Sequence, residues 1–244
     1  MKTIMITGAS SGIGKATAEV FLEAGWTVGL IARRAGRLEE MAGQHPNAIP
    51  LPADVTDAAA MERAFDSFVE KAGRLDVLFN NAGMFGPAGP IDEIPLDGFE
   101  QVMNVNIRGM FIAARLAFGQ MRRQSPRGGR IINNGSLSAH NPRPGSVCYT
   151  LSKHAITGLT RSLSLGGREH DIACGQIDIG NARSELVEEQ NARALAADPN
   201  VTLMPMMEVG DAARSVLHMA EMPPEANVQF MTVMATMMPY IGRG

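Results

Sequence analysis

The chain has 244 residues, 45% of them hydrophobic and 19% charged, which is enough for one sizeable α/β domain and gives no reason to expect disorder. Its formal net charge of −3 disfavours nucleic-acid and anionic-membrane partners, which usually require a basic surface. No apolar run approaches the ~18 residues of a membrane helix, and the N-terminus lacks the apolar core of a secretion signal. Cys148 and Cys174 are too few for a disulfide framework or a metal cluster, so we expect a cytoplasmic protein without a metal.

Short apolar segments alternate with helical patterns, which predicts a parallel β-sheet with crossover helices. In chain order, strands are predicted at residues 3–7, 26–32, 48–51, 75–79, 130–134, 172–179 and 228–234. Helices are predicted at residues 13–24, 34–41, 61–72, 99–121, 149–165 and 211–220, with a Gly- and Pro-rich loop at residues 86–95. This order indicates a doubly wound α/β fold of the Rossmann type, which we expect to form a single domain over residues 1–244.

The first predicted strand runs directly into a glycine-rich turn, Thr7-Gly8-Ala9-Ser10-Ser11-Gly12-Ile13-Gly14. Side chains in place of these glycines would obstruct the turn, the approach of a pyrophosphate or the packing of helix on strand. The helix that follows would direct its free N–H groups and positive dipole end at phosphate. A simple strand-to-helix connection is the alternative. We favour a dinucleotide site, because ligands of doubly wound sheets bind outside the carboxyl ends of the strands.

The end of the second predicted strand bears on which dinucleotide is bound. NAD-binding folds commonly carry an acid about 20 residues after the glycine turn, where it holds the ribose hydroxyls. This chain has Ala32, Arg33 and Arg34 there, and Arg33 can pair with a 2′-phosphate. Alternatively, both arginines only begin a solvated helix. We favour NADP(H) over NAD(H), although Ser11 stands in the turn where a basic residue would strengthen the case.

Tyr149 and Lys153 are four residues apart on a predicted helix, so the phenol and the ammonium share one face. A neighbouring cation favours the phenolate and is expected to lower the tyrosine pKa toward the working pH. Ser136 precedes the pair by thirteen residues and offers a hydrogen-bond donor to a carbonyl oxygen that gains charge as hydride arrives. The alternative, that Tyr149 is an ordinary amphipathic helix residue, is disfavoured by these neighbours.

Several motifs follow one another over nearly the whole chain. They are Thr7-Gly-x3-Gly-x-Gly, Asp54-Val55, Asn80-Asn81-Ala82-Gly83, Asn106 within Val105-Asn106-Ile107-x-Gly109, Ser136, and Tyr149-x3-Lys153. In order and spacing they resemble the motifs of the short-chain dehydrogenases/reductases. The resemblance implies an enzyme that acts on CH–OH groups with NAD(P) as the acceptor.

The resemblance also implies roles for individual residues. Tyr149 would be the general acid/base, Ser136 would hydrogen-bond the substrate oxygen, and Lys153 would hold the nicotinamide ribose and lower the tyrosine pKa. Asn106 would anchor a water chain from Lys153 to solvent, and Asp54 would contact the adenine. The full set of expected cofactor contacts is Gly8, Ser10, Ser11, Gly12, Ile13, Gly14, Arg33, Arg34, Asp54, Val55, Asn80, Ala82, Gly83, Tyr149, Lys153, Ile179, Gly180 and Ser184.

The segment after the sixth predicted strand departs from the family pattern, which is usually Pro-Gly followed by Thr. Here it reads Asp178-Ile179-Gly180, with Ser184 available as the donor to the nicotinamide amide. Loss of the proline relaxes a backbone constraint, and Asp178 on an apolar strand has no explanation from the sequence. We expect residues 183–207 to form a substrate lid, whose methionines suit a pocket, a core or a subunit contact equally. The methionine-rich tail, residues 230–240, indicates an interface or a neighbouring subunit's pocket wall, and hence a homo-oligomer.

The substrate pocket is expected near Met84, Phe85 and residues 141–146, in loops that vary freely on one fold. Within these loops Arg143 can bind an anionic substrate, but a solvated loop position is the favoured interpretation. Cys148 is interpreted as a packing residue.

Our leading hypothesis is an NADP(H)-dependent oxidoreductase that interconverts a small-molecule carbonyl and a secondary alcohol by hydride transfer. An NAD(H)-dependent dehydrogenase is one alternative. A dinucleotide-binding sensor or interaction protein without catalysis is another, which intact Ser136, Tyr149 and Lys153 disfavour. An epimerase or dehydratase that uses hydride transfer transiently is a third.

Overall fold

The apolar segments form one parallel sheet of seven strands in the computed structural model, which describes residues 2–241. The strand order is β3-β2-β1-β4-β5-β6-β7, with strands β1 Thr3–Thr7, β2 Thr27–Ala32, β3 Ala48–Pro52, β4 Val77–Asn80, β5 Gly129–Asn134, β6 Ile172–Gly180 and β7 Phe230–Met234. The helices are α1 Gly12–Glu23, α2 Ala35–Gln44, α3 Ala58–Ala72, α4 Leu96–Val102, α5 Met110–Arg123, α6 Val147–Gly167, α7 Glu185–Ala197 and α8 Val209–Glu221. The predicted doubly wound α/β fold is confirmed.

The central strands are buried and mostly apolar because helices cover both faces of the sheet. All residues of β1 and β2 are buried. Along β1 the side chains alternate, so Ile4 and Ile6 pack in one core layer and Met5 in the other. The first layer includes residues of α1, α2 and α8, and the second includes residues of α3 and α5. β3 contains Pro50 and Pro52 and lies at an edge of the sheet, where a missing backbone donor is tolerated.

The strand order reverses direction between β1 and β4, since β1 is flanked by β2 on one side and β4 on the other. Such a reversal leaves a crevice outside the carboxyl ends of the strands. Gly8 directly follows β1, Asn80 ends β4 and Gly180 ends β6. The motifs predicted from the sequence therefore meet at one edge of the sheet.

Two helical predictions differ from the structure. The helix predicted at residues 99–121 begins at Leu96 and consists of α4, a π-helical segment Met103–Gly109, and α5. The helix predicted from residue 61 begins at Ala58, because the Asp57 carboxylate caps it by accepting hydrogen bonds from the N–H groups of Ala59 and Ala60 at 3.0 Å each. Local capping lengthened one helix, and a π turn interrupted the other.

The segment between β6 and α8 contains a helix that was not predicted, α7. Ser184 caps its N-terminus by accepting a hydrogen bond from the Val187 N–H. The two ends of the segment are joined by a parallel bridge between Ala182 and Met207. Because this bridge holds the two ends of the segment together, the segment forms a closed excursion beside the end of β6.

The C-terminal tail lies at the cleft of its own chain. Met238, Pro239, Tyr240 and Ile241 line the same cleft as the glycine-rich turn. These residues form a wall of the pocket of their own chain, and the expected contact of the tail with a neighbouring subunit stays a prediction. In the part of the chain that the structure describes, no helix combines the length and apolarity needed to cross a membrane.

Candidate active site

A cleft of about 810 Å³ lies at the carboxyl ends of the strands. It brings together residues predicted from distant motifs, namely Gly8, Ser10, Ser11, Gly12, Ile13, Arg33, Arg34, Asp54, Val55, Ala82, Gly83, Ser136, Tyr149, Lys153, Ile179, Gly180 and Ser184. Gly14, Asn80 and Asn106 are predicted site residues that lie behind this surface. Their contacts show what each does in the fold.

The glycine-rich turn depends on the absence of side chains. Gly8 has a φ of 71°, and a Cβ added there would lie 3.1 Å from Ala82 Cα. A Cβ on Gly14 would lie 2.2 Å from the Gly8 carbonyl oxygen, so this glycine lets α1 pack against the turn. Ser11, at the N-cap of α1, makes no capping side-chain hydrogen bond within the described residues. The first N–H groups of α1 are therefore directed at the cleft without a side-chain cap, as a phosphate site requires.

Arginine and serine side chains connect the end of β2 to this turn. The Arg34 guanidinium donates hydrogen bonds to Ser10 Oγ at 3.0 Å and to Ser11 Oγ at 2.8 Å. Arg33 is exposed and lines the same cleft. Two arginine guanidinium groups and two serine hydroxyls therefore occupy the position at which NAD-binding folds commonly have an acidic residue.

The Asp54 carboxylate is held in place after β3 by its neighbour Thr56. The backbone N–H and the hydroxyl of Thr56 donate hydrogen bonds to Asp54 Oδ1 at 2.9 and 2.8 Å. Burial acts to raise the pKa of Asp54, but these two hydrogen bonds and the charge of Arg33 hold it below its ordinary value. Asp54 is thus a fixed carboxylate on the cleft wall.

Asn80 and Asn106 are buried, and their side chains hold together the backbone segments behind the cleft by hydrogen bonds. Asn80 Nδ2 donates to the Met110 carbonyl oxygen at 2.8 Å. Asn106, in the π-helical segment, accepts from the Met84 N–H and donates to the Met84 carbonyl oxygen, each at 2.9 Å. It also donates to Ser152 Oγ at 3.0 Å. The side chain of Asn106 therefore ties the loop after β4 to helix α6, and its role in a water chain stays a prediction.

Ser136, Tyr149 and Lys153 converge on the cleft from β5 and α6. Lys153 is 3% exposed, and its ammonium donates to the Asn134 carbonyl oxygen at 2.7 Å. The same ammonium lies 5.5 Å from the centre of the Tyr149 ring. Ser136 Oγ accepts from the Ser138 N–H, which fixes the turn after β5. The predicted hydroxyl, phenol and ammonium therefore share one site.

The pKa of Tyr149 differs in direction from the sequence expectation. Burial raises the pKa of this phenol above its ordinary value, while Ser136 and the charge of Arg143 act to lower it and the charge of Asp178 acts to raise it. Burial also lowers the pKa of Lys153 to about 8, although Asp178 opposes this shift. The expected lowering of the tyrosine pKa is wrong, because the loss of solvent outweighs the Ser136 hydrogen bond and the charge of Arg143.

Asp178 provides support for Ser136 that the sequence did not reveal. Its side chain is 1% exposed, and its Oδ1 accepts hydrogen bonds from the Ser136 N–H at 2.9 Å and from Gln176 Nε2 at 2.8 Å. Its Oδ2 lies 2.8 Å from His140 Nε2. The sequence feature that could have indicated this role is a carboxylate on an otherwise apolar strand, because a buried charge requires hydrogen-bonding partners. Among residues 2–241, no group of three His, Cys, Asp or Glu side chains is placed to hold a metal ion.

Comparison with known proteins agrees with this architecture. A family model described as short chain dehydrogenase matches residues 2–195. The chain belongs to the short-chain dehydrogenase family. One member of this short-chain dehydrogenase family, the 2-(R)-hydroxypropyl-CoM dehydrogenase of Xanthobacter autotrophicus, is 33% identical over 87% of this chain and 87% of its own. This chain is therefore an oxidoreductase that acts on CH–OH groups with a nicotinamide dinucleotide.

Solved structures of other short-chain dehydrogenases share the fold. A serine dehydrogenase complexed with NADP+ has a TM-score of 0.89 and 22% identity, covering 99% of this chain and 98% of its own. A 3-ketoacyl-(acyl-carrier-protein) reductase from Brucella melitensis complexed with NADH has a TM-score of 0.85 and 21% identity, covering 95% of this chain and 96% of its own. Both dinucleotides thus occur on this fold.

Proposed function

We propose that this short-chain dehydrogenase interconverts a carbonyl compound and a secondary alcohol by hydride transfer, with NADP(H) as its cofactor and Tyr149 as its acid/base. The observation that carries the proposal is the convergence of Ser136, Tyr149 and Lys153 on the cleft that also contains the glycine-rich turn. The residues fit a dinucleotide, because the uncapped start of α1 and the glycines at 8 and 14 leave room and N–H donors for phosphates. When bound, the nicotinamide supplies or accepts the hydride.

The chain's own residues would manage the charge and the proton of this reaction. During reduction, the Tyr149 phenol gives its proton to the substrate oxygen, and the Ser136 hydroxyl donates a hydrogen bond to the same oxygen. During oxidation, the phenolate takes the proton back. The Lys153 ammonium, held by the Asn134 carbonyl oxygen, stabilises the phenolate electrostatically. Residues 183–207 would cover the substrate as a lid.

Replacement of Tyr149 tests the acid/base role. Tyr149→Phe retains the ring that packs edge-on against Phe85 at 4.9 Å but has no ionisable hydroxyl. We expect a fall in kcat of about 100-fold or more, since general acid–base catalysis contributes about 10²–10⁴, with little change in cofactor binding. Ser136→Ala should also lower kcat, whereas Ser162→Ala, at an exposed serine on α6 that bonds within its own helix, should not. Unchanged NADPH oxidation by Tyr149→Phe over a panel of ketones would refute the mechanism.

The preference for NADP(H) is supported by Arg33, Arg34 and the two serines of the turn. We expect Arg34→Gln to reduce kcat/KM for NADPH about tenfold to a hundredfold, since charge-assisted hydrogen bonds contribute about 1.5–3 kcal/mol. The value for NADH should hardly change. Arg63→Gln, which removes an exposed arginine of α3 outside the cleft, is the matched control. Faster wild-type turnover with NADH would establish the NAD(H)-dependent alternative, and tight binding without turnover of any substrate would establish the sensor.

We also infer a homo-oligomer in the cytoplasm. Large apolar side chains are exposed on the described surface, including Leu96, Leu165 and Met237 at 77%, 65% and 78%. Contiguous exposed apolar patches mark protein–protein contacts, so the inference requires that such side chains meet those of a second subunit. Sedimentation at micromolar concentration is expected to show a dimer or tetramer, and a monomer would refute the assignment.

A further inference from the structure

Arg143 occupies a distinctive position in the loop between β5 and α6. Its guanidinium carbon lies 6.0 Å from the centre of the Phe85 ring, and that ring packs edge-on against Tyr149 with 4.9 Å between their centres. The guanidinium lines the cleft and is close enough to Tyr149 for its charge to act on the phenol. The sequence favoured a solvated loop position for Arg143, whereas the structure places it beside the proposed acid/base.

The loop holds Arg143 in this position. Ser146 Oγ donates a hydrogen bond to the Arg143 carbonyl oxygen at 2.7 Å and accepts one from the Arg143 N–H at 3.3 Å. The Ser146 N–H donates to the same carbonyl oxygen at 3.2 Å. Because three hydrogen bonds fix the backbone just before α6, the guanidinium projects from an anchored turn.

The guanidinium forms no ion pair with any residue that the structure describes. Within residues 2–241, none of the observed hydrogen bonds or ion pairs uses the side chain of Arg143, although seven other ion pairs form. The nearby Asp178 carboxylate is buried and is already in contact with His140, Gln176 and the Ser136 N–H. The guanidinium therefore lies at the cleft with five N–H donors that have no acceptor among residues 2–241.

Among the described residues that line the cleft, none at the Tyr149 end is a carboxylate that would suit a cationic substrate. Asp54 is the single carboxylate among these residues, and it belongs to the adenine end beside Arg33. Apart from Arg143 and the Lys153 ammonium, which lies 5.5 Å from the centre of the Tyr149 ring, many residues that line the cleft are apolar, including Met84, Phe85, Val105 and Met238. A guanidinium in such surroundings attracts an oxyanion more strongly than it would in water.

We propose that the substrate is an anionic carbonyl or hydroxy compound, whose carboxylate or other oxyanion pairs with Arg143 while its reacting oxygen lies at Tyr149. The inference rests on the proposed oxidoreductase function and narrows its substrate class. Arg143 is then a specificity-determining residue: it binds the oxyanion, and the apolar walls receive the chain between the oxyanion and the carbonyl group.

Matched pairs of substrates test this class. Purified enzyme with NADPH is assayed on oxo acids from 3-oxobutanoate to 6-oxoheptanoate and on their methyl esters, which differ in charge but hardly in shape. Dihydroxyacetone phosphate and dihydroxyacetone form a second pair, which distinguishes a phosphate from a carboxylate. The variants are Arg143→Gln, Arg143→Lys and the control Arg63→Gln.

For at least one pair, wild-type kcat/KM should be higher for the anion, and Arg143→Gln should lower it about tenfold to a hundredfold. The loss for the anion should exceed the loss for the neutral partner about tenfold or more, because any effect of Arg143 on the Tyr149 phenol is common to both members, and Arg143→Lys should restore part of this difference. Equal effects of Arg143→Gln on both members, or a wild-type preference for the neutral member, would overturn the inference while leaving the oxidoreductase function intact.

Direct binding separates the two proposals if no compound is turned over. The binding of each oxo acid and its ester to the NADP+-loaded protein is then measured by equilibrium dialysis. Selective binding of the anion that is lost in Arg143→Gln supports the anionic site and counts against the proposed reaction. Equal binding of both members, or no binding of either, overturns the anionic site.

Discussion

Replacement of Asp178 tests whether a buried carboxylate supports the Ser136 turn. In Asp178→Ala, the Ser136 N–H loses its acceptor and Gln176 Nε2 retains Thr157 alone. Hydrogen bonds to a charged group contribute about 1.5–3 kcal/mol each, and the contact with the 42% exposed His140 side chain adds little. We therefore expect Asp178→Ala to lower the free energy of unfolding by about 3–5 kcal/mol.

The asparagine variant separates hydrogen bonding from charge. Asp178→Asn retains an acceptor for both N–H donors and keeps its second polar atom beside His140 Nε2, so we expect a loss of about 1 kcal/mol. Urea denaturation followed by circular dichroism at pH 7 measures both variants. Asp66→Ala, at an exposed carboxylate of α3, is the control and should change stability by less than about 0.5 kcal/mol. An Asp178→Ala protein as stable as the wild type would refute the supporting role.

The charge of Asp178 also has a kinetic consequence. It acts to raise the pKa of both Tyr149 and Lys153, so its removal in Asp178→Asn should lower both. Alcohol oxidation requires the phenolate as base, and a lower tyrosine pKa populates the phenolate at lower pH. The acid limb of the pH profile for oxidation should therefore move to lower pH. An unmoved limb, or a move to higher pH, would contradict this electrostatic assignment.

Three further outcomes are expected. Burial lowers the pKa of Lys153 from 10.5 to about 8. Between these two pH values the unfolded chain binds one more proton than the folded protein, so the free energy of unfolding should rise with pH. Urea denaturation should show a rise of up to about 3 kcal/mol relative to Lys153→Met, which lacks the titrating group. In Gly14→Ala the new Cβ would lie 2.2 Å from the Gly8 carbonyl oxygen, so this variant should lower the free energy of unfolding by about 1–3 kcal/mol or more. It should also abolish dinucleotide binding measured by calorimetry. Gly43→Ala on α2, where a Cβ meets no atom within 4 Å, should have neither effect. Burial raises the pKa of the Cys174 thiol to about 12, so iodoacetamide at pH 8 should modify it in urea but not in the native protein, as mass spectrometry can show.

Prediction of the strands succeeded because a parallel sheet covered on both faces requires short, almost continuous apolar runs. The seven strands lie within about two residues of their predicted bounds. The helix at residues 96–123 was predicted as a single element because its π-helical segment retains an uninterrupted helical pattern. Helix α7 was missed because its polar sequence lies on a segment with few buried residues.

The sequence by itself determined the chemistry at each strand end: a turn without side chains after β1, arginines after β2, and a serine, a tyrosine and a lysine around β5 and α6. These are local properties of residue type and spacing. Only the tertiary structure decided which groups pair. It placed Asp178 against Ser136 and His140, brought residues 238–241 to the cleft, and left Arg143 without an ion pair among the described residues. The physical reason is that hydrogen bonds, burial and electrostatic shifts depend on distances between residues far apart in the chain, and folding alone sets those distances.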